Sequence, residues 1–382
     1  MVSRWRARRS CGGICPHPGP SSCNILVHLQ RLITIQTPVK GAQRTQDVPR
    51  TSGGQWDSSR FRANVFTINE WPTIDPQDRQ TLSIGAEQSL STVVGLAWSP
   101  PGLARHRRCT LGVLTSNLVL SLFEPVGPQG KWQRVAVVNW ALSSYFQQIT
   151  DEESLRLRKA LIRSFAWCPP VKVPAAQKDR TPYSVLNAES RWGVQLLAVT
   201  NDDNDMIFLQ TRRSKTGPTS SHPYTIELLT VVPLHDLVEN YSMIQPRSIF
   251  SIALKPRIRA LHISCGPWLC QTAESQQGAY SVTNNVAVLY GTKLKIVRLN
   301  LTLTPQNNEP GTGPRYNAIA SSGENTTIWK KYKGSRLFNG PFRWMHRVGS
   351  EVIAFLSSTY NLYSRMDPKR CCLPLAFSLG LS

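Results

Sequence analysis

An apolar motif that recurs along the chain, a strand–turn–strand pattern behind each copy, and a composition rich in turn formers predict an all-β fold. The class is a WD40-like β-propeller of at least four blades, with long inserted loops and one or two short helices. Of the 382 residues only 18% are charged, while 27 are Pro and 24 are Gly, a balance that favours turn-rich sheets over long helices. Hydrophobic residues make up 41% of the chain, enough for a sizeable core and too many for wholesale disorder.

The repeat carries most of the weight. Val93-Val94-Gly95-Leu96-Ala97-Trp98-Ser99-Pro100-Pro101 returns as Leu161-Ile162-Arg163-Ser164-Phe165-Ala166-Trp167-Cys168-Pro169-Pro170. A weaker copy runs from Arg257 to Ser264, and a fourth, reduced to its aromatics, from Pro341 to His346. Aligned this way, Trp98, Trp167, Ile263 and Trp344 are equivalent. Trp98 and Trp167 fall at one point of two units, on an apolar strand before a Pro-Pro turn, which marks them as packing residues.

Behind each copy comes a short apolar strand centred on a small residue (Gly112, Ala198, Ala287, Ala354), a polar turn, and an alternating strand. The pairs are Leu111–Thr115 with Leu118–Phe123, Leu196–Thr200 with Met206–Leu209, Val286–Tyr290 with Lys293–Leu299, and Val352–Leu356 with Tyr360–Ser364. Period-two alternation across a turn is a hairpin signature. Third strands follow at Arg134–Trp140 and Tyr224–Val232. Three or four strands per unit, stacked on like units, is how a propeller blade is built.

Spacing departs from the usual blade. The copies lie 69, 96 and 81 residues apart, against about 40–45 for a WD-type blade, so inserts are expected at 171–192, 212–223, 271–284 and 304–340. Thr150 and Glu153 have capping-box spacing and predict a helix over about 151–162. A shorter helix is predicted over Leu234–Tyr241. The expected division is a basic, largely disordered or mis-delimited segment at 1–60, a propeller domain at 61–366, and a truncated tail at 367–382.

Net charge is +21, and the excess sits at the two ends. Residues 1–62 carry 10 basic against 2 acidic side chains, and residues 241–382 carry 17 against 5. Between them, 63–150 and 151–240 are nearly neutral. Such a field attracts polyanions, nucleic acid or acidic protein segments. Two segments concentrate it. Arg105, Arg107 and Arg108 fall in one loop, and Lys330, Lys331, Lys333 and Arg336 interleave with Trp329 and Tyr332, a mix suited to phosphate contact and stacking. The alternative is that both segments only solubilise long loops.

No apolar run approaches the roughly 18 residues of a membrane-spanning helix. The Arg-rich start (Arg4, Arg6, Arg8, Arg9) has no apolar stretch behind it, which speaks against a secretory leader; an organelle transit peptide is the lesser reading. Nine scattered Cys form no disulfide framework, and Cys265 and Cys270 read as buried small hydrophobes. Cys11, Cys15, His17 and Cys23 match no common zinc spacing. Asp202, Asp203 and Asp205 resemble the start of a calcium loop, but the Gly and Glu that should follow are missing, so a solvated turn is expected. Phosphate-binding loops of the Walker type, nucleophile elbows and zinc-protease helices are absent from the sequence. No catalytic residue, metal or cofactor is expected.

Gly95-Leu96-Ala97-Trp98-Ser99-Pro100-Pro101-Gly102 with Leu111–Leu118 resembles the N-terminal WD-type propeller of the transcription factor IIIC delta subunit in its fungal form. Phe165–Pro170 and Ala198–Asn201 are similar to its next blade, and the resemblance spans about residues 60–300. It implies a nuclear scaffold subunit acting with the other transcription factor IIIC subunits. Transcription factor IIIB and RNA polymerase III would be further partners, and DNA would be reached indirectly or by backbone contact. The family's C-terminal zinc domain has no counterpart before the chain ends, and Cys371-Cys372-Leu373 onward does not resemble a blade. The resemblance also implies histone acetyltransferase activity, but the Gln/Arg-x-x-Gly-x-Gly/Ala acetyl-coenzyme A loop is missing. Three readings therefore stand: scaffold subunit, acetyltransferase, and propeller adaptor of another nuclear or RNA-processing assembly.

Overall fold

Consecutive strands pair with their chain neighbours throughout, so that each sheet is an antiparallel meander. The computed structural model describes residues 2–5, 24–28, 32–38, 56–66, 87–88, 91–105, 108–126, 131–173, 188–214, 223–234, 260–270, 279–290, 293–306, 315–328, 342–346, 352–356 and 375–379. They fall into two compact units, Met1–Trp140 with Arg213–Thr225, and Ala141–Arg212 with Ile226–Ser382.

In the first unit, β1 (Val2–Trp5), β2 (Asn24–His28), β3 (Leu32–Pro38) and β4 (Trp56–Arg62) form one sheet. A two-residue ladder joins β5 (Val65–Phe66) to β6 (Glu87–Gln88). The second sheet holds β7 (Val93–Trp98), β8 (Leu111–Thr115), β9 (Leu120–Val126) and β10 (Lys131–Val137). Ile33, Ile35, Phe61, Leu111, Val113 and Phe123 make its core. Each such side chain, fully buried, is worth about 1.5–3 kcal/mol. Trp132 stacks on Phe61 with centroids 5.6 Å apart, and Trp98 tilts against Trp132 at 5.8 Å. Arg134 bridges the sheets of this unit. Its guanidinium donates to the carbonyls of Val65 (2.8 Å) and Ala63 (2.9 Å) and lies 4.0 Å over the Phe66 ring.

After Val137 the chain enters α1 (Val138–Gln147) at once. The third strand therefore stops three residues short of the Trp140 expected from sequence. Val138, Leu142 and Phe146, four residues apart, are all buried, an apolar stripe that makes a helix. Next come α2 (Glu153–Ala160), β11 (Ile162–Trp167), α3 (Ala188–Trp192), β12 (Leu196–Asn201), β13 (Asp205–Arg213) and β14 (Tyr224–Pro233). Helix α2 starts later than the capping box implied. Its N-cap is Glu152, which makes no side-chain cap bond. The predicted helix at 234–241 lies, beyond Leu234, outside the described residues.

The remaining strands of the second unit are β15 (Ala260–Cys270), β16 (Tyr280–Tyr290), β17 (Lys293–Gln306), β18 (Arg315–Ile328), β19 (Phe342–His346), β20 (Val352–Leu356) and β21 (Leu375–Leu379). Within this unit β11 lies beside β15 and β15 beside β19, so the first strands of successive sheets are neighbours. One core runs through Leu196, Ala198, Phe208, Val286, Val288, Leu299 and Leu301.

Four expectations change. The 304–340 insert contains β18, a full fourth strand, and the 271–284 insert ends early because β16 begins at Tyr280. β20 pairs with β21, whereas Tyr360–Ser364 lies outside the described residues. Strands β1–β4 occupy residues 2–62, where the sequence shows only one apolar stretch, Ile25–Ile35. Finally, the register moves two repeat positions. Trp98 pairs with Leu111 and Trp167 with Leu197, each one residue before the small residue of the next strand. The residue in that place is Cys265 on β15 (opposite Val286) and Met345 on β19 (opposite Ile353). Ile263 and Trp344 do not occupy it.

Candidate nucleic-acid interface

The basic loop Ser99–Thr110 grows out of the end of β7. Ser99 N–H donates to the Thr110 carbonyl and Thr110 N–H to Ser99 Oγ, both at 2.8 Å, which clasps the two ends of the loop. Pro100 and Pro101 fix φ and bring no N–H donors. Gly102 sits at φ +99°, a conformation L side chains rarely adopt, and reverses the chain. The N–H groups of Gly102 and Ala104 then both donate to the Arg108 carbonyl, at 3.2 and 3.0 Å, while Arg108 N–H donates to the Arg105 carbonyl at 3.1 Å. Leu103 and Ala104 are buried beneath. This is a held loop.

Its anchor is Glu124 on β9, only 1% exposed. One carboxylate oxygen accepts from Arg105 N–H (3.2 Å), from the Arg213 guanidinium (3.0 Å) and from the Tyr224 hydroxyl (3.2 Å). The Tyr224 hydroxyl also lies 3.0 Å from Thr110 Oγ1. Residues 213–225, at the β13–β14 turn, belong to the same compact unit as Glu124. Burial, and then the charge of Glu124, push the Tyr224 phenol above its ordinary range. Desolvating a carboxylate costs several kcal/mol, which the paired guanidinium and two further donors offset.

That arrangement sets the electrostatics of the loop. Glu124 takes its counter-charge from Arg213, and Arg105 contributes only its backbone N–H. Among the described residues the guanidinium groups of Arg105 and Arg108 make no ion pair, and Arg108 is exposed. Two unneutralised cations on a held loop can meet phosphate or carboxylate with little ordering entropy lost on contact. Arg107, and the cluster Lys330, Lys331, Lys333 and Arg336 with Trp329 and Tyr332, lie outside the described residues. Glu124, Arg213 and Tyr224 were not singled out from sequence, although a lone carboxylate in the apolar run Leu120–Phe123 is a signal.

The Asp triplet is spent internally. Asp202 pairs with Arg163 at 2.5 Å, Asp205 with Lys159 at 2.7 Å, and Asp203 with Lys159 at 3.1 Å. Asn201 Oδ1 accepts from the N–H groups of Asp203 and Asp205, at 3.1 and 2.7 Å, shaping the turn. Among the described residues no group of three or more His, Cys, Asp or Glu is placed to hold a metal ion. Cys11, Cys15, His17 and Cys23 lie outside them. Cys168 donates to Cys265 across 3.1 Å, and this contact together with burial holds the Cys265 thiol above its ordinary range.

In the second unit, antiparallel meanders of four, four and three strands lie with their first strands side by side, the arrangement of blades in a β-propeller. The family described as Transcription factor IIIC subunit delta beta-propeller domain matches residues 22–380, and the chain belongs to that family. No curated protein matches the sequence. Among solved structures, the chain is similar to the WD40 domain of SCAP from fission yeast at 12% identity, over 94% of this chain and 85% of that one, with a TM-score of 0.26.

Proposed function

We propose that this chain is a non-catalytic scaffold subunit of the transcription factor IIIC complex in the nucleus. It supports initiation by RNA polymerase III at transfer-RNA-type genes. Membership of the family over residues 22–380 carries this reading. The core partners are the other subunits of the complex, with transcription factor IIIB and the polymerase as further contacts. The held loop that carries Arg105 and Arg108 gives the chain a place to touch DNA backbone. Such contacts position a protein without reading sequence.

The experiment has two parts. Co-expressed with the remaining transcription factor IIIC subunits, the chain should co-elute with them as one species; elution as a free monomer would reject the scaffold role. A salt titration on a transfer-RNA gene fragment and on random DNA then tests the contact. Replacing Arg105 and Arg108 by Ala should lower the slope of log K against log salt by about 0.9 per phosphate contact removed, equally on both DNAs. The same comparison applies to Lys330, Lys331, Lys333 and Arg336. An unchanged slope would assign these cations to solubility and leave placement on the promoter to protein neighbours.

A further inference from the structure

Strand β18 ends the β15–β16–β17–β18 sheet, so among the described residues one side of its backbone has no strand beside it. At Tyr316 that side is already occupied. Tyr316 N–H donates to a Glu189 carboxylate oxygen at 3.0 Å, and the Arg212 guanidinium donates to the Tyr316 carbonyl. Glu189 and Arg212 are themselves paired at 2.7 Å. Together they stand where one residue of a further strand would stand. Because backbone direction alternates along an antiparallel strand, the N–H and C=O groups of Ala318, Ala320 and Ser322 face the same way as those of Tyr316. They recur about every 7 Å. Among the described residues nothing pairs with them.

This stretch lacks the usual defences of a free edge. Ala318-Ile319-Ala320-Ser321-Ser322 holds no charge and no proline, and its pairing with β17 runs in unbroken register from Thr304 to Leu299. Ile319 is 60% exposed. Charge on β18 itself is confined to Arg315 at its start and Glu324 beyond Gly323. Arg315 opens the strand, and exposed Arg298 of β17 lies against Gly323, where an added Cβ would come within 3.3 Å of its side chain. Among the described residues neither Arg298 nor Arg315 makes an ion pair.

We propose that the outer edge of β18, from Ala318 to Ser322, receives an extended segment of a partner subunit as a fifth strand. The segment carries an acidic residue at the end that meets Arg315. The clamp at Tyr316 sets where the added strand stops, main-chain bonds to Ala318 and Ala320 supply the affinity, and an apolar side chain covers Ile319. The proposal rests on the scaffold reading, since the partner is drawn from the same complex.

The test uses the full chain with the co-expressed remaining transcription factor IIIC subunits. Ala320→Pro removes an N–H that points away from β17, so the internal ladder survives while strand addition is blocked. Its melting temperature should match the wild type, and its affinity for the other subunits should fall about tenfold or more. In the wild-type complex the Ala318 and Ala320 amides should exchange at least about tenfold more slowly than in the free chain. Should Ala320→Pro not fold, Ile319→Lys places an edge-blocking cation on an exposed site and should give the same loss. Wild-type affinity in these variants, with no added amide protection, overturns the proposal. So does concentration-dependent dimerisation that Ala320→Pro abolishes while assembly is unaffected, because the edge then serves a second copy. If the wild-type chain fails to join the other subunits at all, the scaffold reading falls and this inference with it.

Discussion

The two best copies of the repeat start alike and end differently. After Trp98 the chain reads Ser99-Pro100-Pro101, and after Trp167 it reads Cys168-Pro169-Pro170. Ser99 Oγ accepts from Thr110 N–H and donates to the Pro100 carbonyl at 2.9 Å, which clasps the neck of the first loop, while Glu124 holds it at the Arg105 N–H and leaves the Arg105 and Arg108 guanidinium groups on display. Cys168 is wholly buried, its sulfur against Cys265, and the Pro169 carbonyl accepts from the Trp268 indole at 2.6 Å. The second loop is thereby tied to β15. It closes further on through the Val171–Val194 bridge beside Gly193, which has φ +87° and where an added Cβ would come within 2.6 Å of the Val171 carbonyl oxygen. The first loop displays charge, whereas the second joins β11 to the neighbouring β15.

The largest expected effect removes what holds the displayed loop. Glu124→Ala strands the Arg213 guanidinium and the Tyr224 hydroxyl, and should cost about 3–5 kcal/mol in urea unfolding. A cost as small as a surface substitution would show that the loop holds itself. Next come the tryptophans shared by both copies. Full burial would make Trp→Ala worth about 3–5 kcal/mol, and since both rings are half-buried about 2–4 kcal/mol is expected for each. Among the described residues both buried indole N–H groups have no hydrogen-bond partner. Trp98→Phe and Trp167→Phe should therefore cost less than half as much as the Ala changes, and a full loss with Phe would reveal a bond at the indole nitrogen.

Exchanging the residues that differ tests the comparison itself. Ser99→Cys weakens the clasp to Thr110, and Cys168→Ser buries a hydroxyl in a sulfur-lined site; each should cost about 1–3 kcal/mol. Equal stability of both variants would mean that the two loops are interchangeable. The smallest effect is electrostatic. The Tyr224 phenol titrates higher in the folded chain than its ordinary value of 10.0. Above that pH the unfolded chain has released a proton that the folded chain keeps, so folding stability falls as pH rises. The slope from one such group is at most about 1.4 kcal/mol per pH unit. Stability curves for wild type and Tyr224→Phe should diverge above pH 10 and run parallel below it.

Much of the fold was legible because the repeat has two signals, an aromatic end and a small-residue centre. Where both survive, as at Trp98 with Gly112 and Trp167 with Ala198, the pairing follows directly. In the third copy the aromatic is gone, and alignment by hydrophobicity places Ile263 two residues early. The structure holds a marker that hydrophobicity does not show. Each of the sheets that begin at β7, β11 and β15 has a register shift near the start of its first strand, at Val93/Gly95, Ile162/Ser164 and Ala260/His262. Trp98, Trp167 and Cys265 each lie four residues beyond the displaced residue. Strand β18 escaped notice because Asn317, Ser321 and Ser322 read as loop residues, their strand character coming from pairing with β17. Helix α1 was masked by the β-branched residues that lead into it. Of the site, Arg105 and Arg108 were visible as charge, whereas their anchor joins residues 100 positions apart and has no local signature.

That separation has a consequence for how the chain is made. Glu124 leaves the ribosome long before Arg213 and Tyr224 do. At synthesis rates of about 5–20 residues per second, the 100 residues between Glu124 and Tyr224 take roughly 5–20 seconds to emerge. Throughout that interval the Glu124 carboxylate has no guanidinium and keeps its water, and the loop carrying Arg105 has no floor. The first compact unit therefore cannot finish folding as it is made. It waits for a hairpin turn encoded far downstream, so a nascent chain arrested before residue 225 should remain sensitive to protease at Arg105 and Arg108 while the same peptide bonds in the released protein resist.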